Sequence, residues 1–337
     1  MDRIESSAAG TLPPVPTLVC PPIDWDLADD GLDPVRGGRL RPDAPRGARK
    51  RAQVEAFVHV VSMLLMAGKS EDESGTTIID AGSGAGNLAI PLAGLLNGGH
   101  ASEGIDVDVL AVDVNEIALR RLADRAELMP SAASMVRTLC ADLADAKSIL
   151  SEIPPDRDVV VVSLHACGAA SDYTMELAYA RDAPFVICPC CTAKSLTRRT
   201  ETMSSNDAEA DGAYNDMSAS FRRSGATGDI TYPRSRWLGD LINLDEAGYS
   251  DEYVILAKVA DVGLGPQTPS KQREQQRRAK EIVELDRLAS GSERRGYATR
   301  MLRMRGHDPL EYGKGELLLG ARGGTAAADA ISDLLVE

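Results

Sequence analysis

The sequence has no uninterrupted hydrophobic run long enough to cross a bilayer. The longest apolar stretch near the start, residues 57–67, is too short for a transmembrane helix and is interrupted by His59 and Ser62. Residues 1–19 contain Asp2, three prolines and no long apolar core, so we do not expect a secretory signal there. These absences predict a protein outside the membrane, with a cytoplasmic location.

Basic residues are outnumbered by acidic ones. The chain has 37 Lys and Arg against 51 Asp and Glu, which gives a formal net charge of −14. Proteins that bind nucleic acid normally present a basic face, so this balance disfavours RNA as a partner without excluding a local basic cluster.

The glycine-rich turn at residues 80–87 lacks the features of two common nucleotide sites. An apolar strand-like run over residues 77–79 ends at Asp80, alternate glycines follow, and residues 88–96 are compatible with a helix. A dinucleotide fingerprint would need glycine at the position of Asn87, which disfavours a dehydrogenase. A P-loop would need Gly-Lys-Ser/Thr after the glycines, and that is absent too. The glycines allow positive φ and let main-chain N–H groups approach a ligand with no side chain in the way.

Two further strand-like runs also end near acidic residues. Residues 109–113 are apolar and end in Asp113, and Asn115 is a suitable helix N-cap before a helical pattern over residues 117–128. A carboxylate at such a strand end can accept both ribose hydroxyls of an adenosyl ligand. A third strand is predicted over residues 135–140, just before Asp142.

The order acidic-x-Gly-x-Gly-x-Gly after a strand resembles the first motif of S-adenosylmethionine-dependent methyltransferases. The resemblance implies S-adenosylmethionine as cofactor, with the glycine loop around its methionine and ribose parts and residues 141–143 beside its adenine. The cofactor-binding residues predicted in this way are Asp80, Gly82, Ser83, Gly84, Gly86, Asn87, Asp113, Val114, Asp142 and Leu143.

Two later strand ends resemble a particular subgroup of these enzymes. The β-branched run at residues 158–164 leads into His-Ala-Cys-Gly at 165–168, and residues 185–187 lead into Cys-Pro-Cys-Cys at 188–191. This pair is similar to the methyltransferase domain of glutathione S-transferase C-terminal domain-containing proteins and methyltransferase-like relatives. It is more distantly similar to tRNA ribose 2′-O-methyltransferases, whose Cys/His zinc modules this chain lacks. The resemblance covers about residues 46–320, and the segments 49–53, 232–235 and 284–287 are consistent with it.

Methyl transfer asks little of side chains, because the sulfonium donor is already activated. A base is needed only where the acceptor must lose a proton, and His165 or Asp172 could serve as that catalytic group. A satisfied polar residue is the competing interpretation of His165. Lys50, Arg51 and Arg234 are candidates for orienting an anionic substrate, with ordinary solvated charges as the alternative. The methyl acceptor is unknown: RNA, a protein or a small molecule.

The cysteines allow three interpretations. The six cysteines of this 337-residue chain do not have the pattern of a disulfide framework, so a reducing compartment is expected. A structural zinc site could draw on Cys167, Cys188, Cys190, Cys191 and His165, but only Cys188 and Cys191 have the spacing of a half-site, and no second CxxC exists. Cys167 and Cys190 lie where RNA cytosine methyltransferases carry cysteines, without the Asp-Ala-Pro-Cys pattern of those enzymes. We prefer the third interpretation, in which the cysteines pack the sheet edge and no metal is bound.

Alternating strand and helix patterns predict an α/β fold with a Rossmann-like, seven-stranded class I methyltransferase sheet. The predicted organisation is a disordered extension over residues 1–45, a methyltransferase domain over 46–320 and a tail over 321–337. The domain is expected to begin with a helix at residue 46, to carry a polar insertion at about 196–228 and to end in helices and a hairpin. A catalytic methyltransferase is the leading function. The alternative is a catalytically degenerate protein of this fold that binds the cofactor and acts as an interaction partner.

Overall fold

A computed structural model describes the chain at residues 14–37, 45–68, 75–97, 106–192, 230–242, 250–261, 267–307 and 315–337. Its centre is a seven-stranded sheet in the order β3-β2-β1-β4-β5-β7-β6, in which β7 runs antiparallel to both of its neighbours. The strands are β1 (Thr76–Ala81), β2 (Val107–Asp113), β3 (Val136–Cys140), β4 (Asp158–Leu164), β5 (Phe185–Cys188), β6 (Tyr297–Arg303) and β7 (Glu316–Arg322). This order and direction confirm the predicted Rossmann-like methyltransferase sheet.

Helices cover both faces of the sheet. They are α1 (Pro45–Gly68), α2 (Ala89–Asn97), α3 (Glu116–Glu127), α4 (Pro130–Ala133), α5 (Ala146–Ser151), α6 (Ala169–Tyr179), α7 (Arg236–Gly239), α8 (Asp251–Ala260), α9 (Ser270–Arg295) and α10 (Ala326–Asp333). Successive β1 side chains enter different cores, Ile78 with α1 and α2 and Ile79 with α5 and α6. Strands buried on both faces need continuous apolar runs, which explains the unbroken β-branched sequence of β4.

A third apolar cluster joins α7 and α8 to the long helix α9. Leu238, Tyr253 and Leu256 pack against Ile282 and Val283 in this cluster. Two polar contacts place α9 beside the carboxyl ends of β4 and β5. Nη2 of Arg287 donates to the carbonyl oxygen of Gly168 at 3.1 Å, and Nζ of Lys280 donates to that of Pro189 at 3.2 Å.

The prediction of disorder over residues 1–45 is wrong for residues 14–37. Leu18, Trp25, Leu32 and Val35 are buried there. The N–H of Leu18 donates to the carbonyl oxygen of Arg303 in β6 at 2.8 Å, and the N–H of Arg303 donates to that of Pro16 at 2.8 Å. This segment contains enough large apolar side chains to pack, although its many Pro, Asp and Gly residues suggested otherwise.

The predicted tail over residues 321–337 is part of the folded unit. β7 continues to Arg322, and α10 buries Ala328 and Ile331 in the same core as α1. Leu18 and Val336 form an isolated bridge between the two ends of the chain. The polar insertion predicted at 196–228 lies outside the described residues. Across the described ranges, no helix has the length and apolar character needed to span a membrane.

Candidate cofactor and active site

The turn after β1 presents an open main-chain surface at two glycines. Gly82 and Gly84 have φ of 78° and 53°, and a Cβ added at either would meet no atom within 4 Å. The N–H groups of Gly82 and Ser83 donate to the carbonyl oxygen of Val112 at 2.8 and 3.0 Å, which ties the turn to the end of β2. A ligand can therefore approach the backbone here without meeting a side chain.

Gly86 serves packing instead. Its φ is 78°, and a Cβ there would lie 2.6 Å from Cγ of Leu122 in α3. The third glycine of the motif thus allows α3 to approach the turn.

Asp113 closes the site on the side of β2. Its Oδ2 accepts from the N–H of Gly84 at 2.8 Å, and its Oδ1 accepts from the N–H of Asn115 at 2.8 Å. Asn115 also caps α3, as predicted, because its Oδ1 accepts from the N–H of Ala118 at 3.1 Å. These bonds hold the carboxylate against the glycine turn while each oxygen keeps lone pairs for a further donor.

Two buried polar atoms of this region have no hydrogen-bond partner within the described part of the chain. They are Oδ2 of Asp80 and Oγ of Ser83. The pKa of Asp80 is raised to about 7, first by burial and also by the negative charge of Asp113, while a hydrogen bond from the N–H of Ala89 opposes the rise. Buried polar groups are normally satisfied, so an unpartnered acceptor and hydroxyl beside an open glycine turn fit a polar, cationic ligand group.

The remaining predicted cofactor residues lie around the neighbouring strand ends. Asp142 is half-buried and accepts from the N–H of Ala144 at 2.9 Å, whereas Leu143 is buried in the core. Val114 is half-buried beyond β2. Asn87 is exposed, and its Oδ1 accepts from Nη1 of Arg125 at 3.3 Å. The position of Asn87 therefore favours a role in fixing the turn.

His165 stands at the end of β4 in a left-handed conformation, with φ of 73°. Its N–H donates to the carbonyl oxygen of Cys188 at 3.0 Å, and its half-buried imidazole Nε2 lies 3.4 Å from Nζ of Lys50 in α1. Burial lowers the pKa of Lys50, and Arg46 adds to this effect, while Cys188 and Cys190 oppose it. The structure thus brings two predicted residues, one catalytic and one substrate-binding, to the same edge of the sheet.

Asp172 and Arg234 have a different environment from the one expected. Asp172 is fully buried and accepts from Oη of Tyr232 at 2.7 Å and from Nη2 of Arg287 at 3.2 Å. Arg234 is 3% exposed and pairs with Glu176 at 2.5 Å. Neither side chain has surface for a methyl acceptor, so the structure does not support their predicted catalytic and substrate roles. Both belong to a buried ionic network that joins α6 to α9.

Arg51 is likewise engaged elsewhere. Its guanidinium pairs with the buried Asp33 at 2.6 Å and lies 5.9 Å from the ring centroid of Trp25. The pairing raises the pKa of Arg51, through the hydrogen bond to Asp33 first. Arg51 thus holds the N-terminal segment against α1, and its predicted role in substrate binding is not supported.

The cysteines separate into two environments. Cys188 is fully buried in the apolar core, and burial raises its pKa to about 12, as expected for a packing residue. Cys190 and Cys191 are half-buried and lie with Cys167 beyond the ends of β4 and β5. The half-site formed by Cys188 and Cys191 in the sequence is therefore not the grouping that the fold creates.

Comparison with known proteins agrees with this geometry. A family model described as a methyltransferase domain matches residues 49–198. Residues 49–198 carry a methyltransferase domain. The match confirms the resemblance on which the cofactor site was predicted, and the matched residues include β1 to β5 and the Cys-Pro-Cys-Cys segment.

Curated relatives of the methyltransferase domain are the proteins expected from the two strand-end motifs. The glutathione S-transferase C-terminal domain-containing protein of Homo sapiens is 26% identical over 178 residues, or 53% of this chain and 23% of that protein. Its counterpart in Xenopus laevis is 24% identical over 286 residues, or 84% of this chain and 35% of that protein. The chain thus spans well under half the length of these relatives. Among solved structures, a magnesium protoporphyrin IX methyltransferase from Synechocystis with bound SAH matches with a TM-score of 0.38 and 14% identity, over 88% of this chain and 95% of that one.

Some residues that support this region were not predicted to do so. Tyr232 and Arg287 hold Asp172 in the buried network, and both lie in segments that are consistent with the subgroup at the level of sequence. The agreement of these segments with the subgroup was the one sequence signal for Tyr232 and Arg287. It did not identify Asp172 as their partner, because Asp172 is far away in the chain. The backbone N–H groups that hold Asp113 have no side-chain signature at all.

Proposed function

We propose that this protein is an S-adenosylmethionine-dependent methyltransferase. The observation that carries the proposal is the pairing of an open glycine turn at Gly82 and Gly84 with the carboxylate of Asp113, which that turn holds in place. The methyltransferase domain at residues 49–198 supports it independently.

The residues present fit this cofactor. Gly82 and Gly84 leave room for its methionine and ribose parts, Asp113 offers lone pairs for ribose hydroxyls, and the unpartnered Oδ2 of Asp80 suits a cationic amino group. Asp142 and Leu143 would border the adenine. When bound, the cofactor supplies a methyl group on a sulfonium, which is already activated for transfer.

The protein's own contribution is then to align an acceptor and, where needed, to remove a proton from it. His165 is the better placed candidate for that base, because it is half-buried at the end of β4, whereas Asp172 is enclosed. Nζ of Lys50 lies 3.4 Å from Nε2 of His165, so the two side chains share one edge of the candidate acceptor site. Lys50 can also orient an anionic acceptor.

The class of acceptor stays open between RNA, a protein and a small molecule. The net charge of −14 disfavours RNA. A cytoplasmic location belongs to the same proposal, since the cysteines at the site are not joined by disulfide bonds, which suits a reducing compartment.

Two measurements test the proposal. Calorimetry is expected to show binding of S-adenosylhomocysteine and no binding of NAD, because the turn lacks the third glycine of the dinucleotide pattern. Transfer of a tritiated methyl group to fractionated RNA, protein and small-molecule extracts would then identify the acceptor class. Binding of NAD without a response to S-adenosylhomocysteine would overturn the proposal. Cofactor binding without transfer to any fraction would favour the degenerate, partner-binding alternative.

A further inference from the structure

Three cysteines from two separate strand ends meet at one point beyond the sheet. Cys167 follows β4, and Cys190 and Cys191 follow β5. Main-chain hydrogen bonds fix the two turns together, from the N–H of His165 to the carbonyl oxygen of Cys188 at 3.0 Å and from the N–H of Gly168 to that of Cys191 at 2.9 Å. The thiols are therefore placed by the sheet itself.

The three sulfur atoms form a compact group. All lie within 4.8 Å of one another, with Sγ of Cys190 at 2.7 Å from that of Cys167 and at 3.6 Å from that of Cys191. Tetrahedral zinc with Zn–S bonds of about 2.3 Å places its sulfur ligands about 3.8 Å apart. The pair Cys190 and Cys191 already has nearly that separation. The pair Cys167 and Cys190 would need to open by about 1 Å, which a small rotation of one side chain supplies.

The charges around the group suit a cation held by thiolates. A bound metal ion deprotonates its thiol ligands outright. Two positive charges lie at the same edge of the sheet: Nζ of Lys280 donates to the carbonyl oxygen of Pro189 at 3.2 Å, and Nζ of Lys50 lies 3.4 Å from Nε2 of His165. Both would offset the negative charge of a thiolate-metal centre.

We propose that Cys167, Cys190 and Cys191 bind one Zn²⁺ ion, as three thiolate ligands of a tetrahedral site. Three half-buried thiols suit a soft-ligand metal, and three protein ligands leave the fourth position open to solvent or to a small ligand. The sequence favoured cysteines that only pack, because its CxxC pattern had no second half. The fold brings Cys167, from the turn after β4, to Cys190 and Cys191 as the third ligand. This site is independent of the proposed methyl transfer.

The test uses the full chain, purified under reducing conditions. We expect about one zinc per chain by elemental analysis. After removal of the metal, added Co²⁺ should give an intense thiolate-to-cobalt absorption band that Zn²⁺ then abolishes. Cys167→Ser, Cys190→Ser and Cys191→Ser should each weaken zinc binding at least about tenfold in a chelator competition, since even outer-shell changes weaken such sites that much. Cys140→Ser is the matched control, because Cys140 is exposed and outside the group.

The cobalt measurement on the unaltered chain keeps the test valid where a variant fails to fold. A folded, reduced chain with no zinc, no cobalt band and no response to added metal would overturn the proposal. A Cys167–Cys190 disulfide in the reduced preparation would do the same. Because the readout is metal binding, failure here leaves the proposed methyl transfer untouched, and failure to bind S-adenosylhomocysteine leaves the zinc site untouched.

Discussion

At the scale of single residues, Asp113 is the side chain on which cofactor recognition depends most directly. It is held by two backbone N–H groups, so its position is fixed before any ligand arrives. Such preorganisation reduces the ordering cost of binding.

Asp113→Ala is expected to weaken binding of S-adenosylhomocysteine by roughly 1.5–3 kcal/mol, because a charged acceptor for hydroxyl groups is lost. Calorimetry on the folded variant measures this change. Asp156→Ala is the control, since Asp156 is exposed in a turn before β4. An unchanged dissociation constant for a folded Asp113→Ala chain would place Asp113 outside the site.

Asp80 predicts a pH dependence of stability. Burial raises its pKa from 3.8 to about 7, so the folded chain holds this proton more tightly than the unfolded chain. The resulting stabilisation is complete below about pH 4 and is lost as the pH rises through about 7. Asp80→Asn removes this dependence. The free energy of unfolding of the variant, minus that of the unaltered chain, should therefore rise by roughly 2 kcal/mol between about pH 5 and pH 8. Urea unfolding at several pH values measures this difference. Parallel stability curves for the two chains would contradict the assignment.

The glycines of the turn differ in what an added methyl group would meet, and this difference can be tested. Gly86→Ala should lower the free energy of unfolding by about 1–3 kcal/mol through collision with Leu122, beyond the cost of positive φ. Gly82→Ala meets open space, so it should cost only the roughly 1–2 kcal/mol of a left-handed alanine but should weaken cofactor binding. Urea unfolding and calorimetry on both variants separate the two effects. Equal binding of S-adenosylhomocysteine by Gly82→Ala and the unaltered chain would show that this face is not used.

At the scale of elements, local patterns were sufficient for the sheet and its glycine turn. The predicted strand over residues 158–164 coincides with β4, and the helix predicted from residue 46 coincides with α1 to within one residue. These elements were predictable because apolar periodicity and capping act over a few residues. The roles of Asp172 and Arg234 could not be predicted in this way, because their partners are far away in the chain. Asp172 in α6 pairs with Arg287 in α9, and Arg234 pairs with Glu176 in α6. Cys167, Cys190 and Cys191 were among the candidate zinc ligands, but their grouping without Cys188 depends on how β4 and β5 lie side by side.

The network around Asp172 is expected to hold α6 and α9 together. Asp172→Asn should lower the free energy of unfolding by about 3 kcal/mol, the lower end for a broken buried pair, because Arg287 loses Asp172 but keeps Glu284. His165→Gln changes a half-buried side chain and should cost much less stability. Denaturant unfolding of the two variants makes the comparison. A fully stable Asp172→Asn chain would restore Asp172 as a candidate base.

At the scale of the whole molecule, the two ends of the described chain complete the fold around the methyltransferase domain. Residues 14–37 lie against β6 and the C-terminal residues, and Asp33 receives both Arg36 and Arg51. Burial tends to raise the pKa of Asp33, but the hydrogen bonds from Arg51, the N–H of Val35 and Arg36 together outweigh it, so the pKa is lowered. The N-terminal segment is therefore attached to α1 through a buried charge, in addition to its apolar contacts.

Asp33→Asn should accordingly lower the free energy of unfolding by about 1–3 kcal/mol, less than a fully enclosed pair because Arg51 is 26% exposed. The matched control is Arg120→Met, which breaks the surface pair with Glu116, whose side chains are 71% and 64% exposed. That control should change stability by about 0.5 kcal/mol or less. Limited proteolysis should also cut the Asp33→Asn chain sooner within residues 14–37, because the segment opens more often when its charge contact is lost. Equal stability loss in the two variants, with equal protease resistance, would show that apolar packing alone attaches this segment to α1.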